Sequence, residues 1–109
     1  MQPVTAKWLD ERGGFHDARV VDVRAQGSVV EIQIDDEWAN ERGLSRPDGQ
    51  EAPGTLVIDG ISAAKDELLA LAGGWISYLE LRGDKLDLAF CDRPQIVIRI
   101  GSVGWQSAD

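Results

Sequence analysis

His16 and Asp17, within the stretch GGFHDARVVDV at residues 13 to 23, are the residues of this chain with the most direct access to chemistry. His16 is the only histidine. An imidazole serves as a base, a ligand or a pH switch, and a neighbouring carboxylate can orient it. Successive side chains of a strand point to opposite faces, however, so a pair at the entry to a strand is not expected to act as a dyad. No serine or second cysteine is placed by motif to serve as nucleophile. GISAA at 60–64 lacks the G-x-S-x-G elbow, because Ala64 stands where the last glycine belongs. The expectation is that His16 and Asp17 tie backbone groups where the chain enters its first long strand, and no catalytic residue is assigned.

Asp35, Asp36, Glu37 and Glu41 form the densest acidic patch. A calcium loop needs the order D-x-[DN]-x-[DN]-G, which is absent, and Trp38 interrupts the run. The patch reads as a solvated strand end that could meet a basic protein surface, with no metal and no cofactor expected. Cys91 is the single cysteine, so neither an intramolecular disulfide nor a zinc spacing can be written. Arg82-Gly83-Asp84 reads as a tight turn, with glycine at the first central position.

The elements that position these residues follow from periodicity. Thr5 caps a short helix running to about Arg12, with Trp8 and Leu9 inward and Gly13-Gly14 as its stop. ARVVDVRAQGSVVEIQID then predicts two strands around a turn at Gln26-Gly27-Ser28. Val21, Val23 and Ala25 point inward on the first, and Val30, Ile32 and Ile34 on the second. Residues 37–53 mix charge, glycine and proline and predict a long loop. Leu56 and Ile58 mark the core face of the next strand. Ser62 is a plausible cap for a helix burying Ala64, Leu68, Leu71 and Ala72. WISYLELRGDKLDLAF predicts a hairpin with Trp75, Ser77, Leu79 and Leu81 inward on one arm and Leu86, Leu88 and Phe90 on the other. A last strand carries Ile96, Ile98 and Ile100 inward.

The whole is expected to be a single domain over 1–109, α+β but mainly β. It would be an antiparallel twisted sheet or partly closed barrel of about six strands with one or two short helices. Apolar residues make up 43% of the chain and charged ones 28%, a balance that sets it apart from disordered chains. Of the four tryptophans, Trp75 is expected in the core and Trp38 and Trp105 at an interface. Ile76, Tyr78, Ala89, Val97 and Val103 make the outer face of the last strands unusually apolar, to be covered by the helices or by a second subunit in a homodimer.

The formal net charge of −8 repels phosphate backbones and anionic lipid, so neither nucleic acid nor membrane is an expected partner. The start MQPVTAKWLDERGG is no secretory signal, and nowhere is there an apolar run long enough for a bilayer. With one cysteine, this predicts a cytoplasmic protein.

Phe15-His16-Asp17-Ala18 leading into RVVDV resembles the start of small bacterial domains of unknown function, including some classed as immunity proteins of polymorphic toxin systems. The likeness covers the first two long strands, and the remainder only as a meander with a late hairpin; the loop after Trp38 and the helix after Ser62 have no counterpart in it. The resemblance implies a short, cytoplasmic, β-rich binding protein and transfers no catalytic residue. The first expectation for function is therefore a non-enzymatic, immunity-like protein-binding module using the Asp35 to Pro53 region. The alternatives are a small ligand-binding or enzymatic barrel built on His16, and a homodimeric structural module.

Overall fold

The computed structural model describes residues 1–35 and 53–108. The long-loop reading and Asp36, Glu37, Trp38 and Glu41 lie outside the described residues. The chain runs β1 (Gln2–Pro3), α1 (Ala6–Glu11), a 3₁₀ turn (Gly13–Phe15), β2 (Arg19–Gln26), β3 (Val29–Asp35), β4 (Gly54–Asp59), α2 (Lys65–Leu69), β5 (Ile76–Arg82), β6 (Lys85–Phe90), β7 (Ile96–Arg99) and β8 (Ser102–Ser107). The protein is mainly β, as expected, but the strands form two antiparallel sheets, ordered β1-β8-β4-β3-β2 and β5-β6-β7, and are not closed into a barrel. Among the described residues no helix is long and apolar enough to cross a membrane.

Local signals account for most elements. The Thr5 hydroxyl accepts from the Trp8 amide at 3.1 Å and starts α1. Gly27 and Gly83 sit at φ +61° as the first central residues of two-residue turns, which a Cβ would disfavour. Val30, Ile32 and Ile34 of β3 and Leu56 and Ile58 of β4 are fully buried, matching the alternation. These side chains meet Leu79, Leu86, Leu88 and Ile98 of the small sheet in one apolar core.

Two β-bulges change the phase elsewhere. Between Val20 and Asp22 the register of β2 slips, so Val20 and Val23 both point inward and Val21, expected inward, is exposed. A second slip between Ile76 and Tyr78 buries Ile76 and leaves Trp75, expected in the core, 45% exposed. Ser62 caps nothing; the residue before α2 is Ala64, held at φ +66°, and Ala72 is exposed.

The single last strand expected after Pro94 is two. Ile100 donates its amide to Asp84 O at 2.8 Å and Gly101 donates to Asp59 O at 2.8 Å, so the chain leaves the small sheet and enters the large one within two residues. Glycine is needed at this crossing, since a Cβ on Gly60 would sit 2.7 Å from the Gly101 nitrogen. The crossing makes Ser102–Ser107 a separate strand, and with the unexpected β1 it raises the total from about six to eight among the described residues.

Candidate functional site

GGFHDA is a strap laid along the outer edge of β5. The 3₁₀ turn brings Gly14 against Leu79 so closely that a Cβ would lie 2.9 Å from both the Leu79 nitrogen and its carbonyl oxygen. Further along, His16 Nδ1 lies 2.8 Å from Ser77 O, the Asp17 amide donates to Ile76 O at 2.9 Å, and the Ile76 amide donates to Ala18 O at 2.8 Å. Arg19 then bridges Trp75, and the Val20 amide donates to Gly74 O at 2.9 Å. The two sheets therefore meet where the start of β2 pairs with residues 73–76.

His16 and Asp17 stand before β2, not within it, and the alternation argument does not govern them. Asp17 adopts φ +66°, which brings its Oδ2 within 3.4 Å of His16 Nε2. The two side chains are together, contrary to expectation, and both are about half exposed or more. The ring is nonetheless held at Nδ1. A carbonyl only accepts, so Nδ1 carries the proton donated to Ser77; Nε2 of the neutral ring is then an acceptor, and it bonds the Asp17 carboxylate only when the ring is doubly protonated. In a hydrolytic triad the carboxylate holds Nδ1 and leaves Nε2 for the nucleophile; here a backbone carbonyl takes Nδ1, the carboxylate stands at Nε2, and among the described residues no hydroxyl or thiol is bonded to the ring. The expected structural role, tying backbone at the entry to the first long strand, holds for the His16 ring; the Asp17 carboxylate meets His16 and no backbone group among the described residues, and its main-chain amide makes the tie to Ile76.

Behind the strap lies a cluster that sequence reasoning missed. Arg12 is 1% exposed, with Nη1 donating to Trp8 O at 2.7 Å and its guanidinium carbon 3.6 Å from the centroid of the Trp8 ring. The Trp8-to-Arg12 spacing, i to i+4 on a helix, is the available signal. Trp105, expected at an interface, is 1% exposed and stacks on Phe15 with centroids 5.0 Å apart, while Trp8 packs against both rings. A fully buried indole anchors the core, not a partner. Gly54 makes room for it, since a methyl there would overlap the Trp105 ring.

Trp75 takes the surface position instead. It lies next to Arg19, whose guanidinium is 6.0 Å from the ring centroid, and Tyr78 lies one bulge further along the same edge, past Ser77. Arg19, His16, Asp17, Trp75 and Tyr78 thus share one exposed stretch of surface. Of the other candidates, Asp35 ends β3 half-buried, and Cys91 is exposed, its amide donating to Trp75 O at 2.9 Å. Arg82 precedes the expected turn and Asp84 is its second central residue, and Arg82 Nη2 reaches across 3.0 Å to Asp87. Asp87 is buried on the outer side of β6, where Gln95 Nε2 also donates to it at 2.8 Å. A groove of about 560 Å³ between α1 and β5 is lined by Lys7, Asp10, Leu79 and Glu80, and His16 is not among its lining residues. No protein-family model matches the chain, and neither does any curated protein or solved structure.

Proposed function

We propose that this chain is a non-enzymatic protein-binding module, immunity-like in occluding a partner that carries a basic surface. The observation that supports it is the exposure of Trp75 and Tyr78 beside Arg19, His16 and Asp17 on a stretch pinned by backbone hydrogen bonds. Tryptophan, tyrosine and arginine are the side chains that most often dominate binding energy, and a rigid backbone lowers the ordering cost of using them. The net charge of −8 steers a basic partner towards the molecule, and the aromatic pair supplies the desolvated contact.

Affinity capture from the native source, followed by titration of the purified partner, tests the reading. A protein partner should bind stoichiometrically, and Trp75→Ala should weaken it by on the order of 2 kcal/mol, with Tyr78→Ala close behind. Val21→Ala, at an exposed apolar position on β2, serves as control and should bind as the parent does. Absence of any stoichiometric partner, or equal affinity for all variants, would overturn the proposal.

A further inference from the structure

The edges of the two sheets differ in how they are protected. β1 is two residues long and contains Pro3. β2 is bulged, and the Asp22 carboxylate accepts from the Val23 amide at 3.0 Å, covering an outward N–H. The strap covers β5 only in part: His16 and Asp17 bond Ser77 and Ile76, Gly14 packs on Leu79, and from Leu79 to Leu81 the edge faces the groove beside α1. β7 pairs with β6 on one side only, and among the described residues nothing bonds its other side.

The groups that β7 leaves open follow from the register. The two-residue turn makes Arg82 and Lys85 a hydrogen-bonded pair, so Glu80 with Asp87 and Tyr78 with Ala89 exchange bonds as well. Leu86 and Leu88 then face Ile98 and Ile96. The Ile100 amide, bonded to Asp84 O, continues that phase. Val97 and Arg99 consequently direct their N–H and C=O groups away from the sheet. Val97 is 50% exposed, and residues 96–100 read Ile-Val-Ile-Arg-Ile, a segment of high β-propensity with a single charge.

The geometry points to a second copy of this chain as the occupant of the β7 edge, paired antiparallel about a two-fold axis at Val97. In that register Val97 faces Val97 of the partner subunit, and Arg99 faces Gln95 of the partner subunit. Ile96 and Ile98 align with Ile98 and Ile96 of the partner subunit. No like charges oppose each other, and each Val97 exchanges both of its open backbone bonds. A two-fold axis at Arg99 would oppose two guanidinium groups, which the in-phase shift to Val97 avoids. The result is a continuous six-stranded sheet, formed by doubling the three strands β5-β6-β7.

Sedimentation equilibrium of the full chain, carried up to millimolar concentration, tests this together with amide hydrogen exchange. The parent should approach twice the single-chain mass, and the Val97 and Arg99 amides should gain protection as concentration rises. Val97→Lys sets two ammonium groups together at the two-fold axis and should be monomeric, with the parent's thermal midpoint at dilutions where the parent is also monomeric. Val21→Lys, an equally exposed substitution on the bulged β2 edge, should still dimerise. A parent that stays monomeric, a Val97→Lys variant that dimerises, or a dimer in which the Val97 and Arg99 amides exchange as in the monomer would each overturn the inference.

Discussion

His16 Nδ1 reaches the carbonyl oxygen of Ser77 at 2.8 Å, across 61 residues of chain. The β5 bulge lies between Ile76 and Tyr78, and the imidazole takes up the Ser77 carbonyl at that irregularity. The bond holds the strap that joins the two sheets, so its removal is first a matter of stability. His16→Ala should lower the unfolding free energy by about 1 kcal/mol, the usual worth of a part-exposed hydrogen bond, measured as a shift in urea midpoint at constant m. A variant as stable as the parent would show that the strap holds without the ring.

Gly14 faces two obstacles to substitution. Its φ of +63° is costly for an L-residue, and a Cβ would press at 2.9 Å on backbone atoms of Leu79, which cannot rotate away. Gly14→Ala should therefore cost about 2 to 4 kcal/mol, the sum of the left-handed penalty and local overpacking. Gly13→Ala shares the φ of +63° but meets nothing within 4 Å, and should cost only about 1 kcal/mol. The difference between the two melts isolates the close approach from the backbone conformation.

Trp105 joins α1, the strap and the large sheet through its contacts with Trp8 and Phe15. Trp105→Ala should destabilise the fold by about 3 to 5 kcal/mol. Trp75→Ala, at the exposed position, should shift stability by less than about 1 kcal/mol. Denaturant titrations of both variants check this, and comparable losses would contradict the exchange of roles between the two tryptophans.

Ala64 precedes α2 at φ +66° with no side-chain cap. Ala64→Gly should relieve the left-handed conformation and stabilise the protein by up to about 1 kcal/mol, after allowance for the greater freedom of glycine in the unfolded chain. A raised thermal midpoint is the expected reading; a lowered one would mean that the partly buried Ala64 methyl contributes more by packing than its backbone conformation costs.

The sequence by itself determined the elements whose cause is local. The Thr5 cap, the glycine turns at Gly27 and Gly83, and the strict alternation of Val30, Ile32 and Ile34 follow from backbone preference and period-two burial. Only tertiary structure decided the phase at the bulges. Val20-Val21 and Trp75-Ile76 are apolar at both positions, so either residue could face the core, and an inserted residue becomes visible only when the partner strand fixes the register. The same holds at the candidate site. Residue types singled out His16 and Asp17, but their proximity depends on the left-handed turn at Asp17, and their commitment to Ser77 depends on a strand 61 residues away. Trp105 and Trp75 exchanged core and surface for that reason too: an indole suits either place, and the packing of Phe15, Trp8 and Gly54 around one of them left the other to the surface.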